Sequence, residues 1–386
     1  MDEAGRLFCA KPFRWFEVSR GREEGEVFLC CPGWLKRPVG NLLRQSVAEA
    51  WNGEAAQDIR RSILDGSFEY CDASLCPHIQ EISGPVQRIQ DVTDPVLLGV
   101  IREGLTILPY GPREVNCAHD RSCNLSCPSC RTELIIETAR RDEILGIQRK
   151  LDHEALVDAE TLYITGSGDP FGSPFFRKWL QTMRRTDMPR LRTLHLHTNG
   201  LLWTPRVWET IPAEIRTLIR SAEISIDAAS PGTYAVNRRG GSFGTLLARL
   251  EFIQSLRLAG PLERLTMSMV VQENNFHEMR EFVLLSKRFG ADTAYFSRLA
   301  DWGTFDPEDL RNRSIHRADH PRHRALLDVL SDGLFDDPIV CLGNLTELRR
   351  GEGPGRRTAH GRESTRAVTS VRRVLRRAAN LLRPHW

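Results

Sequence analysis

Cys123, Cys127 and Cys130 stand in the run Cys-Asn-Leu-Ser-Cys-Pro-Ser-Cys, three thiols at C-x₃-C-x₂-C spacing. Thiolates spaced this way can each take one iron of a cubane [4Fe–4S] cluster and leave the fourth iron without a protein ligand. Clusters meant only to carry electrons usually take four cysteines. An open iron can instead chelate a small molecule and pass an electron into it. The plain alternative is a structural zinc knuckle. Structural zinc wants four closed ligands, and no fourth is obvious nearby.

These thiols must be held by folded elements, and the chain has the length for them. Its 386 residues suit two or three domains. No apolar run approaches the ~20 residues of a membrane span. The start, Met1-Asp2-Glu3-Ala4-Gly5-Arg6, lacks the basic and apolar stretches of a secretory signal. Ten cysteines without an export signal argue against a disulfide scaffold and for metal or redox ligation in a reducing cytoplasm. The net charge of +3 is unevenly placed. Residues 351–386 hold nine Arg and two Glu, leaving 44 basic and 48 acidic groups in the remaining 350 residues. The body is therefore slightly acidic, which excludes a nucleic-acid-binding surface by charge.

Five cysteines lie in residues 1–76 and four in 117–130, with Cys341 apart. The pattern predicts a small module over 1–80, a connector over 81–111, an α/β domain over 112–300, an extension over 301–350 and a basic linker and helix over 351–386. In the middle domain short apolar runs alternate with longer helical patterns. Strands are expected at Leu162–Thr165, Leu194–Thr198, Glu223–Ile226, Leu265–Val271 and Thr293–Phe296, with a further one before Cys117. Helices are expected at Phe175–Thr186, Phe243–Leu256 and Asn275–Phe289. Six such units imply parallel βα architecture, either a partial barrel or an open sheet. Parallel barrels carry functional residues at the C-terminal ends of strands. The three cysteines follow the first expected strand and Gly166-Ser167-Gly168-Asp169-Pro170 the second. Asn199-Gly200 ends the third, and Ser225 and Asp227 end the fourth.

These motifs together resemble the radical S-adenosylmethionine (radical SAM) superfamily over residues 113–300, and residues 9–77 resemble a SPASM-type auxiliary-cluster domain. The resemblance implies a partial (β/α)₆ TIM-like barrel with a small amino-terminal iron–sulfur module and a carboxy-terminal basic helical tail. S-adenosylmethionine would sit on the open iron of a cluster held by Cys123, Cys127 and Cys130. Gly166, Ser167, Gly168, Asp169 and Pro170 resemble the Gly-Gly-Glu-Pro segment whose backbone holds the methionyl amino group, with Asp169 in place of the usual Glu. Ser225 and Asp227 are two apart, so on a strand they share a face. The resemblance gives them the ribose, and gives Arg238 the carboxylate. The plain readings are a turn at 166–170, a helix-capping Asp and a solvated Arg. Ser129 departs from the family, which usually has an aromatic residue there. His195 and His197 lie on the third expected strand and read as buried, hydrogen-bonded side chains or as cavity groups.

In the amino-terminal module, Cys9-Ala10-Lys11-Pro12, a strand leading to Cys30-Cys31, Gly40-Asn41, Ala50-Trp51-Asn52 and Cys71 with Cys76 carry the SPASM resemblance. It implies a second, closed [4Fe–4S] cluster on Cys9, Cys30, Cys71 and Cys76, with Cys31 as rival to Cys30. A zinc ribbon is the alternative. This module usually follows the barrel in the family, and here it precedes it.

The implied activity is that of a radical SAM oxidoreductase or epimerase-type enzyme. S-adenosylmethionine is cleaved reductively to a 5′-deoxyadenosyl radical, which takes a hydrogen atom from a substrate carbon for oxidation, cross-linking or epimerisation. The implied partners are a small-molecule, sugar or peptide substrate and an external one-electron reductant of the flavodoxin or ferredoxin type. The alternative is a non-catalytic iron–sulfur redox sensor or electron carrier. In residues 366–383 apolar groups recur at helical spacing among six Arg, the pattern of a basic amphipathic helix that could touch a membrane surface or a partner. Cys341 lies in an apolar run and reads as a buried, inert thiol.

Overall fold

The structure, a computed structural model, describes residues 5–19 and 21–349. The basic tail and its expected amphipathic helix lie outside the described residues.

Among the described residues, twelve strands form two sheets. In chain order they are β1 (Leu7–Cys9), β2 (Trp15–Ser19), β3 (Glu26–Phe28), β4 (Gly40–Asn41), β5 (Val86–Arg88), β6 (Glu114–Cys117), β7 (Thr161–Ile164), β8 (Thr193–Thr198), β9 (Ile219–Ser225), β10 (Arg264–Val271), β11 (Thr293–Arg298) and β12 (Val340–Cys341). The large sheet runs β12-β11-β10-β9-β8-β7-β6-β2-β3-β4. From β12 through β6 to β2 every neighbour is parallel, and β3 and β4 are antiparallel additions. The result is an α/β fold on a mostly parallel sheet.

Each of β6–β11 alternates. On β8, Leu194, Leu196 and Thr198 are buried while Thr193, His195 and His197 are half-buried. The other strands repeat this, with Leu162 and Ile164 on β7, Ala222 and Ile224 on β9, and Ala294 and Phe296 on β11 on the buried face. A parallel sheet covered on both faces reads as continuous apolar runs. Here only one face is apolar, so helices cover one side and the other is polar. The covering helices include Pro174–Thr182, Phe243–Ala259 and Met279–Arg288, close to the expected spans. Ser173, Ser230 and Ser242 cap helices by accepting from the N–H three residues on.

The amino-terminal module shares the large sheet. β2 pairs with β6 from Trp15↔Glu114 to Val18↔Cys117, so the module supplies the strand beside β6. The stretch expected to be a bare connector, 81–111, is folded. β5 pairs antiparallel with β1, and Asp94 caps a helix over Pro95–Glu103. Arg14 binds Asp94 (2.9 Å), Glu160 (3.1 Å) and Glu114 (3.3 Å), joining module, connector and α/β domain. Arg60, fully buried, stacks on Trp51 and donates to Pro12 O, Thr106 O and Asn52 Oδ1. Trp51 Nε1 donates to Tyr110 O at 2.7 Å. The Ala-Trp-Asn segment is thus a packing hub that fastens residues 104–110 to the module.

Cys117 is fully buried on β6, whereas Cys341 is exposed on β12, which corrects the expectation of a buried thiol there. Its neighbours Val340 and Leu342 pack inward, and strand alternation turns Cys341 out. No helix among the described residues is long and apolar enough to cross a membrane.

Candidate functional site

The loop after β6 presents the three thiols. Asp120, fully buried, accepts from Ser122 N and Oγ (2.9 and 2.8 Å) and from the Ser173 hydroxyl. Cys123 N bonds to Ile135 O, Ser126 N to Arg239 O, and Cys130 N to Cys127 O. Cys123 and Cys127 are buried and Cys130 is exposed. Each sulfur has a side-chain N–H donor from a different place. Asn199 Nδ2 reaches Cys123 Sγ (3.7 Å), Arg238 Nη1 reaches Cys127 Sγ (3.7 Å), and Arg131 Nη2 reaches Cys130 Sγ (3.4 Å). Leu125 N adds a second donor to Cys123. Burial, with the Asp169 charge, pushes the Cys123 thiol up to about 12, against the pull of Arg131. Burial also raises Cys127, and Arg238 opposes it.

The 165–170 segment leans directly on this loop. A Cβ at Gly168 would lie 2.4 Å from Asp120 O and 2.8 Å from Ser122 O. Asp169 N bonds to Ser122 O (3.0 Å), Ser167 Oγ donates to Ala118 O (2.7 Å), and Arg131 bridges Arg121 O to Ser167 O. Thr165 Oγ1 accepts from Ser167 N and Gly168 N. Asp169 is almost fully buried and spends its carboxylate on protein donors: Phe171 N and Gly172 N on one oxygen, Thr198 Oγ1 and Asn199 N on the other. Gly166 is exposed, and a Cβ there would meet nothing within 4 Å. The segment is therefore more than a plain turn, and its open surface is at Gly166.

Ser225 and Asp227 part company. Ser225 ends β9 on the polar face, with its Oγ 2.8 Å from His197 Nε2. Asp227 lies beyond the strand with φ +60°, so strand alternation no longer governs it. Its Oδ1 accepts from Val270 N (2.7 Å) and its Oδ2 pairs with Arg238 Nη2 (2.8 Å). Burial raises the Asp227 carboxyl, and Arg238 works against that. Arg238 is not a solvated cation. It is buried between Asp227 and Cys127, and its Nε has no partner among the described residues. Ser230, not Asp227, caps the next helix, and Glu278 braces it through Ser230 N and Oγ and Ala229 N.

The polar face of the sheet lies below this loop. His195 Nδ1 is 2.9 Å from Ser221 Oγ, and His197 Nε2 is 3.5 Å from Glu223 Oε1. Burial, then the neighbouring His197, lowers His195 to about 4. Trp15, Tyr163 and His195 form an aromatic row across β2, β7 and β8, with the Lys11 ammonium 3.2 Å from the Trp15 ring centre. A polar cavity of about 320 Å³ opens at the N-terminal strand ends, lined by Thr161, Thr193, Ser221, Arg264 and Thr293 among others.

In the amino-terminal module Cys9, Cys30 and Cys76 are buried and Cys71 is half-buried. Burial pushes Cys9 well up, and Cys30, Cys71 and Cys76 push it further by like charge. Cys71 is raised to about 12 by burial, Cys30 and Cys76. Cys30, raised to about 11 chiefly by burial, also receives an N–H from Trp34 Nε1 at 3.3 Å. These four sulfurs thus share one locality. Cys31 adjoins it: beyond burial, its thiol feels Glu17, Cys30 and Lys11, and it acts on Tyr295 of β11. Cys9, Cys30 and Cys71, each raised, would resist ionising together, and a positively charged metal core is what makes such a set ionise. Residues 9–77 match the SPASM iron–sulfur cluster-binding domain family.

The amino-terminal module is a SPASM domain. Its SPASM fold brings together residues that the sequence scatters over almost seventy positions. Among the described residues no three His, Cys, Asp or Glu side chains close on a single metal ion. A cubane spreads its cysteines over separate irons and does not need such closure.

No curated protein matches the chain. Solved structures share parts of it loosely. A TYW1 structure with a lysine–pyruvate adduct bound matches at TM-score 0.38 and 17% identity, over 58% of this chain and 74% of that one. An anSMEcpe structure with AdoMet and a peptide matches at 0.41 and 17%, over 64% and 68%. Streptococcus suis SuiB bound to the precursor peptide SuiA matches at 0.36 and 12%, over 66% and 55%. Against SuiB, then, the chain spans little more than half the relative's length. These overlaps are too loose to carry residue roles across.

Sequence reasoning singled out the thiols and the 165–170 segment, gave Arg238 a different role, named Asn199 only at a strand end, and passed over Arg131. Arg131 is adjacent to a ligand-type cysteine, and Asn199 stands at a strand end. Those two placements were the available signals. Nothing local marked Asp120, Ser173 or Glu278.

Proposed function

We propose that this protein is a radical SAM enzyme with one auxiliary cluster. The observation that carries the reading is the loop after β6. Three thiols stand there at C-x₃-C-x₂-C spacing, each met by its own N–H donor, on a loop whose Asp120 and Ser122 carbonyls pack against the Gly168–Asp169 turn. Bound there, an iron–sulfur cluster and S-adenosylmethionine supply one-electron cleavage of the sulfonium and hydrogen-atom abstraction from a substrate carbon.

The chain's own residues hold and shape that site. Cys123, Cys127 and Cys130 ligate, and Asn199, Arg238 and Arg131 donate to their sulfurs and orient them. The open backbone at Gly166 and Ser167 faces the ligand's amino group. Ser225, tied to His197, borders the ribose end. Cys9, Cys30, Cys71 and Cys76 hold the second cluster, with Cys31 outside the set. Asp169, saturated by four protein donors, anchors the turn and does not touch the ligand.

The sheet is read as a partial barrel. In a flat sheet β3 and β11 would stand about 34 Å apart, seven strand spacings. The field of Cys31 on Tyr295 supports curling that brings the two ends together. The substrate, a small molecule, sugar or peptide, lies against the polar inner face. His197 stands on that face, 2.8 Å from Ser225 Oγ and 3.5 Å from Glu223 Oε1. An external one-electron reductant of the flavodoxin or ferredoxin type supplies the electron.

Anaerobically reconstituted protein, given dithionite and S-adenosylmethionine, is expected to form 5′-deoxyadenosine, read by mass spectrometry. No product under several reductants would favour a non-catalytic electron carrier.

A further inference from the structure

Arg238 follows the short helix Pro231–Asn237, and its N–H bonds to Tyr234 O at 2.7 Å. Its side chain is only 12% exposed. One edge is taken: Nη2 binds Asp227 Oδ2 at 2.8 Å. The other terminal nitrogen, Nη1, points to Cys127 Sγ at 3.7 Å. Among the described residues, only Nε is without a partner.

Asp227 is itself immobilised. Val270 N holds its Oδ1, and Asn237 and Asn275 donate to its carbonyl at 2.9 and 3.0 Å. The backbone there sits at φ +60°, a conformation a side-chain-bearing residue keeps only when its surroundings fix it.

With Nη2 on Asp227 and Nη1 aimed at Cys127, the end-on pair of this guanidinium is spent, and its remaining donor, Nε, is buried, so it is poorly placed for the paired grip that makes Arg a strong carboxylate receptor. What it can do is place a cation and an N–H on the Cys127 sulfur in a water-poor setting. Adding one electron to a cluster adds negative charge, and hydrogen bonds and cations at the ligating sulfurs favour that added charge.

We propose that Arg238, clamped by Asp227, is a positioning residue for the cluster loop: it donates to the Cys127 sulfur and favours the one-electron-reduced form of a cluster held there. This rests on the iron–sulfur reading of Cys123, Cys127 and Cys130. It replaces the carboxylate-binding role that the family resemblance implies for Arg238.

The test uses the full chain, reconstituted without oxygen, with no substrate required. Iron is counted, and the cluster signal that S-adenosylmethionine perturbs is titrated with dithionite and redox mediators by electron paramagnetic resonance. Arg238→Gln is expected to retain its iron and shift the midpoint potential to more negative values. Arg238→Lys, which keeps the charge, is expected to shift it less. Should Arg238→Gln fail to load, the Arg238→Lys shift decides alone. Arg239→Gln is the control. It removes the same charge next door, where Arg239 binds Ser126 Oγ and Thr132 O, and is expected to leave the potential unchanged. An unchanged potential in the Arg238 variants with weakened S-adenosylmethionine binding would overturn the proposal and restore the carboxylate role. Wild-type protein that assembles no cluster at these cysteines would instead sink the iron–sulfur reading itself.

Discussion

Asp169 accepts a 2.7 Å hydrogen bond from the Thr198 hydroxyl, which ties the turn after β7 to the end of β8. The same oxygen takes Asn199 N, so the residue that donates to Cys123 is positioned through Asp169. Asp169→Asn would set an N–H₂ against those donors or against Phe171 N and Gly172 N. We expect it to cost about 2 kcal/mol, since buried donors are left unmet. Denaturant unfolding of the variant measures this.

Gly166 and Gly168 separate folding from ligand binding. Gly168→Ala drives a methyl into the Asp120 and Ser122 carbonyls, which are backbone and cannot step aside cheaply. It should lower stability by about 1–3 kcal/mol and reduce iron loading of the loop. Gly166→Ala meets open space and should leave melting unchanged. If Gly166 faces S-adenosylmethionine, that variant alone weakens its binding, as read by calorimetry.

The module's ligand set is tested by iron content. Cys9→Ser should lose one cluster's worth of iron, whereas Cys31→Ser should keep both. Equal loss in the two variants would return Cys31 to the ligand set.

Arg60 is a buried cation held by three acceptors and an indole face, and burial lowers it to about 9. Arg60→Met keeps much of the volume but leaves Pro12 O, Thr106 O and Asn52 Oδ1 without that donor. A loss of about 3 kcal/mol is expected. Thermal unfolding of the loaded protein reads it.

His119 is buried against Phe176 and Trp179, and neither ring nitrogen has a partner among the described residues. Burial, with Arg140, lowers it to about 3. In the unfolded chain it titrates near 6.5, so acid protonates the unfolded state first. Its stability contribution is present above about pH 6.5 and is lost as pH falls toward 3. Between about pH 7.5 and 5.5 the loss is about 1.4 kcal/mol. His119→Phe should remove that share of the acid sensitivity, compared by urea unfolding at the two pH values. His195 and His316, each lowered to about 4 mainly by burial, keep theirs.

The sequence carried the parts of this protein whose signals are local. Alternation placed β7, β8, β10 and β11 to within a few residues, and the thiol spacing marked the loop. It could not show that Asp227 leaves the strand line at positive φ, because that turn is fixed by Asn237, Val270 and Asn275 from elsewhere. Nor could it choose between Cys30 and Cys31: the two are adjacent in the bend after β3, and the direction of each depends on how the whole module closes. The pairing of β2 with β6 was likewise invisible, since almost a hundred residues separate them.

That pairing makes the two halves of the chain inseparable in practice. A fragment begun at residue 81 would bare the backbone of β6 along the side β2 now occupies, and an unpaired parallel edge recruits other chains. In synthesis from the amino end, β2 is made before β6 emerges and stands ready as its template. An order that runs contrary to the usual family arrangement thus gives the growing sheet its first seam.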